Sequence, residues 1–212
     1  MKQEKLACIL CGSDNNPVVI KENNYTGKKC ESCPIIYVSP RPKKEEVINI
    51  YGHDDAYIPA HAHVESAGPK RQHARYMLTL ITQHCQHGKI LEIGAGAGYF
   101  LDEARIRGFD PYAIELNPAQ AQFIEQTLHI PCERASLSSN SWAEHQFDLI
   151  YHCDVISHLH DPIAELGIMY DKLVPGGYLV FETGNLADVD PAYFPLIPAF
   201  QYPDHLFFFG KK

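Results

Sequence analysis

The stretch Lys89–Phe100, KILEIGAGAGYF, sets Gly94, Gly96 and Gly98 in alternation with alanines directly after a short apolar run. A run of that length reads as a buried strand, and the glycines after it permit a tight turn and close backbone approach to a ligand. The residues over 97–107 then read as a helix. A glycine-rich turn between a strand and a helix cradles a nucleotide, and the rest of the chain is read around it.

Downstream the alternation continues. YAIEL (112–116) predicts a second strand and 118–128 a helix. A short strand is expected near 132–134, FDLIYHC (147–153) is a buried strand, 161–173 a helix and GYLVFET (177–183) a strand. This order implies an α/β fold, a doubly wound and mostly parallel sheet, with its ligand at the carboxyl ends of the strands. Upstream, Tyr76, Leu80 and Ile81 predict an amphipathic helix over 70–86 that covers the sheet.

The ligand is selected by charge. A dinucleotide turn reads G-x-G-x-x-G, whereas here the third glycine comes one residue early, and Glu92 precedes the turn. A pyrophosphate gains nothing beside that carboxylate. A ligand carrying ammonium and sulfonium groups does, which points to S-adenosylmethionine. Glu115, at the end of the next strand, is placed to accept both ribose hydroxyls.

The chain of 212 residues carries a formal charge of −8, with 45% hydrophobic and 21% charged residues, the composition of a globular protein. No apolar run reaches the ~18–20 residues of a membrane span, and MKQEKLACILCGSDNN lacks a signal-peptide core, so cytoplasmic residence is expected. The acidic balance argues against nucleic acid as a partner, since PKRQHAR and RPKK are the densest basic stretches and both are short.

Of the seven cysteines, Cys8-Cys11 and Cys30-Cys33 form two C-x2-C pairs separated by eighteen residues. That spacing predicts a zinc ribbon in which two turns aim four thiolates at one structural zinc ion. VVIKE and IIYVS read as its strands, and Gly12 suits the first chain reversal. With four protein ligands the metal has no open position for a substrate. The domain boundaries read as a ribbon over 1–40, a helical linker and lid over 41–88, and the glycine-loop domain over 89–212. The lid begins with a short helix bearing Val47, Ile48 and Tyr51. It continues through a loop with His53, His61 and His63, whose irregular spacing argues against a metal site.

LEIGAGAG (91–98), AIELNP (113–118), FDLIYHCDVISHLHDP (147–162) and LVPGGYLVFETGN (173–185) together resemble the successive motifs of class I S-adenosylmethionine-dependent methyltransferases. CILCGS, CESC and VSPRPKKEEVINIYGHDDAYI are similar to the zinc-ribbon extension of a bacterial and archaeal subset of that superfamily. The resemblance implies a Rossmann-like methyltransferase fold and a cofactor-binding set of Glu92, Gly94, Ala95, Gly96, Gly98, Tyr99, Glu115, Leu116, Ser136, Leu137 and His152. Within it, Leu116 packs on adenine and the Tyr99 ring faces the sulfonium. The turn after the third strand, ERASLSS (133–139), departs from the superfamily by lacking its usual Asp, which leaves the adenine contacts to backbone and hydroxyl groups.

An oxygen or carbon acceptor must lose a proton, and a histidine suits that task. HCDVISHLHD supplies His158 and QYPDHLFFFG supplies His205, the two candidates for that catalytic base. The Asn/Asp-Pro-Pro-aromatic motif of DNA-amine methyltransferases is absent, so a small-molecule acceptor is expected. An RNA methyltransferase gripping RNA by its ribbon, and a non-catalytic cofactor-binding scaffold, are the competing readings. After GYLVFET the superfamily adds two more strands, whereas here four prolines oppose regular strands. The expectation is truncation, with completion by a partner, or a homo-oligomer, as the alternative. Phe207, Phe208 and Phe209 are expected to leave apolar surface in need of cover.

Overall fold

Five short strands come first in the computed structural model: β1 (Gln3–Glu4), β2 (Val18–Glu22), β3 (Tyr25–Lys29), β4 (Ile36–Val38) and β5 (Arg41–Pro42). The alternating series follows as α1 (Ala67–Ile81), β6 (Gly88–Ile93), α2 (Tyr99–Ile106), β7 (Phe109–Ile114), α3 (Pro118–Phe123) and β8 (Cys132–Glu133). It continues with β9 (Phe147–Cys153), α4 (Pro162–Lys172) and β10 (Leu173–Glu182), and a last strand, β11, spans Phe207–Phe208. The structure describes residues 2–47, 64–139, 142 and 145–211. The expected lid helix beyond Val47 and the loop with His53, His61 and His63 lie outside the described residues.

The chain divides into two compact units. One comprises Tyr51–Cys153 and Ala164–Phe181. Its sheet has the order β10-β9-β6-β7-β8, with β6 parallel to both β7 and β9 and β7 parallel to β8. This is the doubly wound Rossmann-like arrangement expected. The chain leaves β6 toward β7 and β8, then returns to β6's other side with β9, which puts the switch point at the end of β6. Ile90, Leu91, Leu149 and Ile150 are fully buried, as strands covered on both faces require. Asn117 caps α3 by accepting the amides of Ala119 and Gln120, and Pro118 starts the helix where no donor is needed.

The face of α1 differs from the expected one. Ala74, Met77, Leu78 and Ile81 are buried, whereas Tyr76 and Leu80 are 62% and 42% exposed. The i, i+3, i+4, i+7 row from Ala74 forms the apolar stripe. The small Ala74 carries little hydrophobic signal, and the two larger residues drew the reading to the wrong face.

The other unit comprises Met1–Ile50, Asp154–Ile163 and Glu182–Lys212. Its sheet has the order β11-β4-β3-β2 with antiparallel neighbours, and β1 pairs with β5. The division does not follow the expected boundaries at 40 and 88, because the tail shares a sheet with the first forty residues. Phe207 pairs with Tyr37 and Phe208 with Ile36, and Phe207 is fully buried. The apolar tail is thus covered within its own unit. Polar contacts hold it as well: Glu22 accepts the amides of Phe200 and Tyr202, at 2.8 and 2.7 Å, and Lys29 donates to the Ala187 carbonyl. The segment 184–206 folds as short turns and two short helical pieces, Leu186–Asp188 and Pro191–Leu196.

Candidate functional site

The switch point carries the glycine loop. Gly94, Gly96 and Gly98 all have positive φ, at 67°, 56° and 73°. A Cβ at Gly98 would come within 2.8 Å of Ile124 Cγ1, so packing and backbone both require glycine there. The amides of Gly94 and Ala95 donate to the Ile114 carbonyl, at 2.8 and 3.2 Å. Gly96 donates to Glu115 Oε2 at 2.7 Å, and Asn117 donates to Oε1 at 2.8 Å. Both Glu115 oxygens therefore accept backbone amides, and the carboxylate keeps acceptor capacity for a hydroxyl.

Glu92 is 5% exposed, and its Oε2 has no hydrogen-bond partner among the described residues. Burial raises its carboxyl well above the usual carboxylate range, Lys70 opposes that shift and Glu115 adds to it. Burial likewise lifts Glu115, against the amides it accepts. A buried carboxylate oxygen without a donor is costly unless a ligand supplies one. An ammonium meets that demand, and the residues fit the amino-acid end of S-adenosylmethionine.

The other expected contacts divide. Leu116 is half-buried at the end of β7, and its carbonyl accepts Arg134 Nε at 3.2 Å. With the bond from the Glu115 amide to the Glu133 carbonyl, this brings the turn after β8 beside Glu115 and Leu116. In that turn Leu137 is buried and Ser136 joins a hydroxyl cluster with Ser138 and Ser139. The Tyr99 ring has a cationic neighbour that the sequence reading missed. The Arg71 guanidinium lies 4.8 Å from its centroid, and the Tyr99 hydroxyl donates to the Val64 carbonyl at 2.7 Å. Arg71 also pairs with Asp102 and Glu103 at 2.6 and 2.9 Å, so it braces α1 against α2. His152 is fully buried in β9 and stacks on Phe181 with centroids 5.1 Å apart. Burial lowers its pKa to about 4.

In the other unit, the Sγ atoms of Cys8, Cys11, Cys30 and Cys33 lie within 4.8 Å of one another, and all four cysteines are free. The closest sulfur pairs are 3.3 to 3.7 Å apart. Four ligands around one zinc at Zn–S ≈ 2.3 Å have sulfurs about 3.8 Å apart. Two backbone turns set the donors: Gly12 donates to the Cys8 carbonyl, and Cys30 donates to that of Ile35.

That unit also brings His158 and His205 together, with ring centroids 4.2 Å apart. His158 Nδ1 lies 2.9 Å from the Asp204 carbonyl and 3.4 Å from Asp204 Oδ1. Burial pulls His158 down, but Asp204 outweighs it and the net shift is upward. His205 is lowered to about 4, by burial and by the charge of His158, and its buried Nδ1 has no hydrogen-bond partner among the described residues. Reading for bases alone overlooked Asp204, which contacts His158; its position next to His205 was the available signal. His160 contacts Glu4 at 3.0 Å and Arg41 instead of joining this group.

Residues 64–212 match the model of a family described as a methyltransferase domain. The tRNA U34 carboxymethyltransferase of Sulfurovum sp. (strain NBC37-1) is 31% identical over 105 residues, covering 45% of this chain and 34% of that protein. The ubiquinone biosynthesis O-methyltransferase of Pseudomonas putida (strain W619) is 27% identical over 103 residues, covering 46% and 44%. The chain thus spans less than half the length of either relative. Among solved structures, the sugar N-methyltransferase KedS8 from Streptoalloteichus sp ATCC 53650 is similar with a TM-score of 0.49 at 18% identity, over 55% of this chain and 50% of that one. No helix among the described residues is long and apolar enough to cross a membrane.

Proposed function

Because the chain belongs to the methyltransferase-domain family, we propose that it transfers the methyl group of S-adenosylmethionine to oxygen or carbon of a small-molecule acceptor. The observation that carries the donor half is Glu92, whose buried Oε2 at the strand end that opens the glycine loop has no partner among the described residues. When bound, the donor supplies an electrophilic methyl on a sulfonium. Glu92 accepts its ammonium, Glu115 accepts the ribose hydroxyls, and the loop glycines allow close approach. Leu116 packs on the adenine, with Ser136 and Leu137 at its edge.

The acceptor half rests on charge and on the histidine pair. One relative is named for tRNA and another for ubiquinone biosynthesis. A chain of net charge −8 with only short basic stretches is poorly suited to the phosphates of RNA. A hydroxyl or carbon acid must shed its proton as the methyl arrives, and His205 and His158 are the proposed bases. Burial lowers the pKa of His205 to about 4 and its Nδ1 has no partner among the described residues, while Asp204 holds its neighbour His158. A structural zinc ion on the four cysteines completes the reading.

The test is release of S-adenosylhomocysteine against a small-molecule library and, in parallel, against total tRNA. Turnover on a small hydroxylated or carbonyl compound is expected. Turnover on tRNA alone would replace this reading with the RNA one, and tight donor binding with no turnover on any acceptor would favour a scaffold.

A further inference from the structure

The histidine pair has a third member, and the three side chains together offer the donor set of a metal. One ring nitrogen each of His158 and His205 and one carboxylate oxygen of Asp204 all lie within 4.8 Å of one another. The ring centroids are 4.2 Å apart. Metal–ligand distances of about 2.0–2.1 Å put the ligand atoms of one zinc ion about 3.4 Å apart, so a small side-chain adjustment closes the set.

The backbone builds this cluster. The amides of Leu206 and Phe207 both donate to the Ser157 carbonyl, at 2.8 and 3.2 Å. Those bonds join the two segments one residue away from His158 and from His205. The Asp204 carbonyl lies 2.9 Å from His158 Nδ1, and the His205 ring stacks on Phe208 at an interplanar angle of 6°. Both rings are thus oriented by their neighbours, as ligating imidazoles are. A second observation points to a ligand: the buried His205 Nδ1 has no hydrogen-bond partner among the described residues. A buried polar nitrogen in that state is costly unless something outside the chain meets it.

Two imidazoles and one carboxylate suit zinc and its first-row neighbours, whereas magnesium and calcium favour oxygen donors throughout. Three protein ligands also leave a coordination position open, unlike the four cysteines. We propose that His158, Asp204 and His205 form a second, exchangeable metal site for a divalent ion such as zinc, and that the ion blocks the reaction by occupying the histidines that take the acceptor's proton. The site stands on the cluster alone; the block rests on the base assignment above. Coordination and proton acceptance draw on the same ring lone pair, so one nitrogen cannot do both at once. With one ligand fewer than the cysteine site, this one releases its ion on dialysis while the ribbon keeps its own.

The experiment titrates the dialysed chain with zinc by calorimetry, as wild type, His158→Gln, Asp204→Asn and His205→Gln. The wild type is expected to take up one equivalent more than each variant, whether or not the cysteines already hold metal. Cobalt added to the dialysed wild type is expected to give the d–d absorption of a nitrogen and oxygen site without thiolate charge transfer, and Asp204→Asn to lose it. His205→Cys keeps a metal-binding donor and is expected to retain the extra equivalent, which excludes misfolding as the cause of the loss. Equal uptake in the wild type and all three variants, or cobalt bound only with thiolate charge transfer, overturns the proposal and leaves the base assignment standing. On an identified acceptor, saturating zinc is expected to lower turnover about tenfold or more, as loss of a general base implies, and a chelator to restore it. Zinc that binds at this site and leaves turnover unchanged overturns the block and the base assignment together.

Discussion

The Gly96 amide donates to Glu115 Oε2 at 2.7 Å, which ties the middle of the glycine loop to the end of the neighbouring strand. The same carboxylate thus shapes the loop before any ribose arrives. Replacing it affects both tasks. Glu115→Ala is expected to weaken S-adenosylmethionine at least about tenfold, given ~1.5–3 kcal/mol for a charge-assisted hydrogen bond. An unchanged dissociation constant by calorimetry would remove Glu115 from the ribose.

Glu92 makes donor binding depend on pH. In the free chain burial holds its carboxyl well above the usual range and so favours the protonated form. An ammonium on Oε2 favours the carboxylate, and binding then releases that proton. Affinity rises with pH between the bound and free pKa, by up to about tenfold per unit, and levels off above the free value. Calorimetry in buffers of different ionisation enthalpy reads the released proton directly. Glu92→Gln should bind weakly at every pH and without this slope; a slope that persists in the variant assigns the proton elsewhere. The sign for folding is opposite. A raised folded-state pKa costs stability above the unfolded value, so Glu92→Gln without ligand should melt higher than the wild type at neutral pH.

One zinc ion per chain should accompany protein purified without chelator. Cys8→Ser should disturb more than the ribbon, because Val38 of β4 donates to the Leu206 carbonyl and β11 pairs with β4. Hydrogen exchange at Val38 and Leu206 is expected to quicken about tenfold or more, while donor affinity stays nearly intact. Metal-free protein with full protection at those amides would dismiss the zinc assignment.

His205→Ala and His158→Ala separate base from support. Loss of the base should lower turnover by ~10²–10⁴ with donor affinity spared. Asp204→Asn, which keeps the size but removes the charge beside His158, should shift the pH profile with a smaller loss. Near-normal turnover in both histidine variants would mean that alignment alone drives the reaction.

Much of the glycine-loop unit was legible because its signals are local. Strand, turn and acid follow one another in Ile90–Gly98, and Asn117-Pro118 announces a helix start within two residues. The misread face of α1 shows the limit of periodicity, since the buried stripe begins at a small Ala74 while large Tyr76 points outward. The tail was hardest to foresee: nothing local in QYPDHLFFFG names its partner strand, which lies in the ribbon almost the whole sequence away.

That pairing inverts the order of assembly relative to synthesis. The ribbon strands leave the ribosome before β11 does, so β4 has one edge open until Phe207 and Phe208 arrive. The glycine-loop sheet is complete earlier, since its last strand, β10, ends at Glu182. The ribbon sheet is therefore completed after the glycine-loop sheet, through contacts of long sequence range. Until then the exposed edge is a template for strand pairing between chains, and shielding it falls to whatever meets the emerging polypeptide.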